Sequence, residues 1–138
     1  MKFLTTISVI MLGATLISSC SKSQPTDEEI EQAGHQWLLR ARASLADADY
    51  DLARIYIDSL RERCPMALNA REDGILLLDS IELAQAVEQL QQAEFFARQS
   101  DLDYIARDSA DTNLDRAMAK VKFFQKKIGH DLANKKQH

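Results

Sequence analysis

Leu76, Leu83, Leu90 and Ala97 fall seven residues apart, and Ala86 and Ala93 follow Leu83 and Leu90 by three. An apolar seam repeating every seven residues commits a segment to a helix that packs one stripe against another helix. The repeat keeps its phase through Asp79-Ser80, where a helical turn would break it. The spacing therefore predicts one long helix from about Met66 to at least Arg98. At about 1.5 Å per residue it would be roughly 50 Å long. Asp79-Ser80-Ile81-Glu82 also has the residue types of a helix start, so a reading as two helices stays open.

A second seam, Leu114, Ala117, Val121, Phe124 and Ile128, predicts a last helix that begins near Asn113. The stretch from Ser100 to Thr112 is polar and Asp-rich, with Leu102, Tyr104 and Ile105 as apolar islands, and the chain reversal is expected within it. Two seams joined by such a connection predict an antiparallel coiled-coil hairpin over residues 66–133, followed by a frayed tail, 134–138. No stretch alternates apolar and polar residues over the length of a strand, and there are only four Gly and two Pro. The fold class expected is all-α.

Charge is unevenly placed. Residues 21–112 hold 9 Lys and Arg against 19 Asp and Glu, a net −10, while residues 113–138 hold 7 against 2, a net +5. Either acidic and basic helices pair internally, or the basic surface meets an anionic partner. Internal pairing is the simpler account. It would set Arg116, Lys120, Lys122, Lys126 and Lys127 near Glu82, Glu88 and Glu94. Exposed pairs contribute only about 0–1 kcal/mol each, so the apolar seams would hold the hairpin together.

Ahead of the hairpin, Thr26-Asp27-Glu28-Glu29 has the spacing of a capping box. Ile30, Ala33, Trp37, Leu38, Ala41 and Leu45 then recur on one helical face. A polar break at residues 46–49 precedes a second helix, about Tyr50 to Arg63, with Ala53, Ile57 and Leu60 on its apolar face and Pro65 ending it. With Trp37, Ala41, Tyr50, Ala53 and Pro65 at its aromatic, small and terminal positions, residues 26–65 resemble a degenerate tetratricopeptide repeat, a helix-turn-helix unit. Arg40, Ser44 and Leu60 depart from that pattern. Continuing the register would put Gly74, Ala86 and Ala93 at small positions of a second repeat, but Ile81 to Leu83 hold no turn residue where it should bend.

At the amino terminus, Lys2 precedes a fifteen-residue apolar run, Phe3 to Ile17, and Leu16-Ile17-Ser18-Ser19-Cys20 follows. A spanning helix needs about 20 apolar residues, so the run is too short and has the flanks of a cleaved signal. The pattern resembles the lipobox of bacterial lipoproteins; a secretory signal with an incidental cysteine is the bland rival. The resemblance implies a signal peptide over 1–19, acylation of Cys20, a lipidated tether over 20–25 and no spanning segment. It also implies localisation in the bacterial cell envelope. Ser21, in place of an acidic residue after the cysteine, implies the outer membrane. With Cys20 lipidated, Cys64 is left without a disulfide partner and reads as a small apolar residue at a helix end.

Residues that could carry chemistry are sparse. His35, His130 and His138 have no His or Cys three or four residues away, so no helical zinc pair exists. His130 and Asp131 read as surface polar residues. The glycines at 13, 34, 74 and 129 form no phosphate loop, and no serine sits in a nucleophile elbow. No cofactor, no metal site, no nucleic acid and no enzymatic activity are expected. Trp37 reads as core. Of the pairs Phe95-Phe96 and Phe123-Phe124 only one ring each fits a two-helix seam, which makes Phe96 and Phe123 a candidate partner surface.

These readings imply a non-enzymatic, lipid-anchored interaction or scaffold module with a protein partner in the envelope, or with another copy of itself. The alternative is a structural module whose basic last helix binds cell-wall polymer or anionic lipid. The whole arrangement resembles the small helical-repeat lipoproteins of bacterial envelopes.

Overall fold

Thr26 opens the first helix as the spacing predicts. Its hydroxyl accepts from the Glu29 amide at 3.2 Å, and the Glu29 carboxylate accepts from the Thr26 amide at 2.8 Å. The computed structural model describes residues 24–136, which form four helices: α1 (Asp27–Ala46), α2 (Tyr50–Arg63), α3 (Leu68–Ala97) and α4 (Tyr104–Lys135). The fold is all-α. The signal segment 1–19, Cys20, the first residues of the tether and His138 lie outside the described residues.

α1 and α2 are joined by a tight turn in which Ala48 takes a left-handed conformation, φ 57°. The Asp49 carboxylate then caps α2 by accepting from the Leu52 amide at 3.0 Å. Leu38 and Ala41 of α1 and Ala53, Ile57 and Leu60 of α2 are all 0% exposed. Ala67, Ala70, Leu77 and Ile81, from the start of α3, complete the same cluster. Gly34 marks the closest crossing. A Cβ there would come within 2.7 Å of the Ala70 Cβ and 2.8 Å of the Ala67 Cβ, so α1 and α3 meet at a distance only glycine permits. Trp37 is only half-buried. It packs against the core beside Tyr56, with the Arg40 and Arg63 guanidinium groups over its ring at 4.7 and 5.5 Å.

α3 is one continuous helix of 30 residues, close to the expected Met66–Arg98. Its apolar residues lie on two opposite sides. Ala70, Gly74, Leu77 and Ile81 face α1 and α2, while Leu76, Leu83 and Leu90 fall on the side of Asp79, which faces α4. Asp79 and Ser80 start no new helix. Asp79 is 5% exposed, and the Ser80 hydroxyl donates back to the Leu76 carbonyl at 2.9 Å. The start of α3 has no capping side chain of its own. Glu31 of α1 serves instead, its carboxylate accepting from the Asn69 and Ala70 amides at 3.0 and 3.1 Å.

α4 packs on α3 alone among the helices, antiparallel to it. It begins at Tyr104, nine residues before the expected start at Asn113, because the Asp103 carboxylate caps it through the Ala106 amide at 2.7 Å. The Asp-rich stretch is therefore mostly helix, and the reversal occupies Arg98 to Asp103. The Arg107 guanidinium braces this turn by donating to the Gln99 carbonyl at 2.9 Å. At the other end helix continues to Lys135, through part of the stretch expected to fray.

Candidate functional site

The basic last helix meets acidic groups of α3, but not the expected ones. Lys127 donates to Asp79 at 2.5 Å and to Asp131 at 3.0 Å, Lys135 pairs with Asp73, and Lys120 donates to Gln89 at 3.1 Å. The hydrogen bonds to Asp79 and Asp131 raise the pKa of the Lys127 ammonium, and the bond to Asp73 raises that of Lys135. The Asp131 carboxyl is lowered by the His130 ring and then by Lys127. Of the three glutamates expected opposite α4, Glu82 accepts from Arg54 of α2 at 2.7 Å and Glu94 pairs with Arg98. Glu88 lies beside Tyr50 of α2, whose hydroxyl is raised first by burial and then by this carboxylate. Internal pairing therefore runs through Asp79, on the α4 side of α3, and through Asp73 near its start.

These contacts set the register of the hairpin, and with it the places of the two candidate aromatics. Phe96 sits near the end of α3 and is 43% exposed. It stands at the edge of an open groove of about 500 Å³ between α3 and α4, with Ala93, Ala110 and Ala117 as its floor and Gln89 and Lys120 on its rim. Phe123 is 59% exposed and packs edge-on against Phe124, ring centroids 5.1 Å apart. It lies between Lys120 and Lys127, hence level with the stretch Asp79 to Gln89 of α3. The two rings are about 15 Å apart along the helix at 1.5 Å per residue. The structure leaves both exposed and does not bring them into one patch.

Other apolar side chains near the same end are also exposed. Phe95, Tyr104 and Ile105 are all exposed at the free end of the hairpin, flanking the turn from Arg98 to Asp103. Tyr104 and Ile105 look like islands in a loop when read in sequence. The Asp103 cap was the available signal that they open a helix. The highest-numbered α3 residue hydrogen-bonded to α2 is Gln85, through Arg54, with Glu88 beside Tyr50 one turn further on. The last quarter of α3 and the first half of α4 therefore project beyond the core of α1 and α2. Pro25 and Thr26 lie at the opposite end, beside Met66 and the start of α3. From Asn69 to Phe96 the helix rises about 40 Å.

Cys64 is buried at the end of α2, where its amide donates to the Leu60 carbonyl. His35 is exposed on α1, and His130 lies beside Asp131 at 3.1 Å and Asn134 at 3.2 Å. Among the described residues no group of three His, Cys, Asp or Glu could hold a metal ion, and no helix is long and apolar enough to cross a membrane. The hairpin of two helices presents exposed apolar side chains at its end, a small-residue groove and an exposed charged face. No family model matches the chain, and neither a curated protein nor a solved structure matches it.

Proposed function

We propose that this chain is a non-enzymatic lipoprotein of the bacterial envelope, anchored through Cys20, whose projecting hairpin docks other helical surfaces. The carrying observation is the separation of about 40 Å between the end where the tether joins α1 and the exposed Phe95, Phe96, Tyr104 and Ile105. A tether at one end and exposed apolar side chains at the other suit a module that holds a partner away from a membrane surface. Exposed aromatic and aliphatic side chains gathered at one end of a module are where partners dock. The alternative, binding of cell-wall polymer or anionic lipid by the basic helix, draws less support. Lys127 and Lys135 are held by Asp79 and Asp73, which leaves Lys122 and Lys126 as the exposed lysines of its middle.

The test is a carboxy-terminally tagged full chain cross-linked in living cells and recovered in detergent. A specific envelope complex, lost on Phe96→Ser and retained at 1 M salt, is the expected result. At 1 M the Debye length has fallen to about 3 Å, so an apolar contact survives and a purely ionic one does not. Unchanged recovery and unchanged oligomeric state in the Phe96→Ser, Phe123→Ser double variant would sink the role given to these rings. Replacing Cys20 with alanine should release the protein from membranes.

A further inference from the structure

The side of α4 turned away from α3 carries a charge pattern that this chain does not satisfy. At 3.6 residues per turn Asp108, Asp111, Asp115, Lys122 and Lys126 share one face, opposite Ala110, Ala117 and Val121, which meet α3. All five charged side chains are exposed, and none forms an ion pair among the described residues. The like-charged couples Asp111 with Asp115 and Lys122 with Lys126 are each spaced i, i+4, which destabilises a lone helix. The helix macrodipole does not explain the order of charges, because its influence fades within the first and last turns. Asp111 lies about two turns inside the start at Tyr104, and Lys126 more than two turns before the end at Lys135.

Four of these five charges are antisymmetric about the midpoint between Met118 and Ala119. Asp115 and Lys122 stand 3.5 residues on either side of it, and Asp111 and Lys126 stand 7.5. A two-fold axis through this point makes α4 antiparallel to its own copy. Asp115 then faces Lys122, Asp111 faces Lys126, and both pairs recur by symmetry. Ala119 at the centre lets the helices approach, beside the partly exposed Met118. Gly129 fits the same arrangement. Glycine weakens a helix interior relative to alanine, and nothing of this chain comes within 4 Å of where its Cβ would be. In the antiparallel pair it lies level with Asp108 of the other copy. An anionic membrane or an acidic partner would engage the two lysines and leave the aspartates opposed to it. A second copy engages both halves.

We propose that the outer face of α4 is a self-association surface, on which two copies dock antiparallel about Met118 and Ala119. This rests on the reading of the chain as an interaction module and names one of its partners as another copy of itself.

Ala119→Cys tests the geometry, because the two-fold axis brings residue 119 of each copy together. The full chain carrying it, in mild detergent under gentle oxidation, should form a disulfide-linked dimer. The unsubstituted chain and Asp51→Cys, on the exposed outer side of α2, report the background from Cys20 and Cys64. Adding Asp111→Lys and Asp115→Lys should lower the dimer yield about tenfold or more through like-charge opposition. Adding Lys122→Asp and Lys126→Asp instead should do the same. An equimolar mixture of the two reversed chains is fully complementary and should restore the yield as a heterodimer. Yields at background for Ala119→Cys, or yields indifferent to charge reversal, overturn the proposal. The cell cross-linking experiment separates the two readings. A partner complex that survives Asp111→Lys and Asp115→Lys leaves the module intact without the dimer, and a dimer without any partner complex does the reverse.

Discussion

Asp79 and Lys127 pair across the hairpin with unequal burial, and that inequality predicts an asymmetric mutational cycle. The Asp79 side chain is 7% exposed and that of Lys127 is 37% exposed. Among the described residues Asp79 has Lys127 as its one cationic partner, whereas Lys127 also holds Asp131 at 3.0 Å. Lys127→Met leaves a carboxylate in the seam between α3 and α4 without a cation. Removing one member of a fully buried pair costs about 3–5 kcal/mol. With one partner a third exposed, about 2–3 kcal/mol is expected here. Asp79→Ala instead leaves an ammonium that keeps Asp131 and reaches water, so its cost should be about 1 kcal/mol, near that of an exposed pair. The apolar double variant Asp79→Leu, Lys127→Leu should lie within about 1 kcal/mol of the native chain, since apolar replacement of both charges removes the desolvation cost of each. Urea denaturation of the full chain in mild detergent at pH 7, followed by helical circular dichroism, reads all three. With an m value of about 1.5 kcal/mol/M, Lys127→Met should move the midpoint down by about 1.3–2 M. Equal costs for the two single variants, or a double variant worse than Lys127→Met, would refute the view that Lys127 compensates a buried carboxylate.

Four further outcomes follow from the same geometry. Gly34→Ala should cost about 1–3 kcal/mol by overpacking, because its Cβ would meet the backbone-anchored Cβ atoms of Ala67 and Ala70. Gly129→Ala should stabilise the monomer by about 0.5–1 kcal/mol, having open space around it, so thermal melting of the two variants should shift in opposite directions. Glu31→Ala should cost about 0.5–2 kcal/mol, the range of a lost helix cap. Its amide exchange should quicken first at Asn69 and Ala70, and unchanged protection there would argue against capping by α1. Lys127 and Lys135 titrate above their ordinary 10.5 and Tyr50 above its ordinary 10.0, so the folded state holds these protons more tightly than the unfolded chain. Their stabilisation is complete below pH 10 and is lost as pH rises through the raised values, which a denaturation midpoint measured from pH 8 to 11 should show as an alkaline decline.

Local signals carried most of the helices, and the failures have identifiable causes. The Thr26 capping box, the 3-4-3 spacing after Ile30 and Pro65 are short-range features, and each marks a boundary within a residue or two of α1 and α2. The seven-residue repeat foretold α3 as one piece because an unbroken phase leaves no place for a turn. The start of α4 was missed because Asp, Ser and Thr are common both in loops and on the exposed side of a helix. Four aspartates between Asp101 and Asp111 made the stretch read as a connection. Only Asp103 acts on the backbone, as a cap; Asp108 and Asp111 stand in solvent on a helix already begun. Phe123 was legible as exposed because the seam takes Phe124, whereas the seam takes neither ring of the other pair, and Phe95 is more exposed than Phe96. The distance between Phe96 and Phe123 was not legible, because it depends on the register between α3 and α4.

By itself the sequence determined the all-α class, the position of three helix starts and the two seams that make α3 and α4 a hairpin. All of these rest on periodicity and capping, which act within about four residues. The tertiary structure alone decided what meets across the chain. It set Glu31 at the start of α3, Gly34 against Ala67 and Ala70, and Asp79 rather than Glu82, Glu88 or Glu94 opposite the basic helix. It also turned one face of α4 outward with its charges unmatched. The reason is physical: a side chain's own spacing fixes which face of its helix it occupies. Which other helix that face meets depends on the packing of all four together.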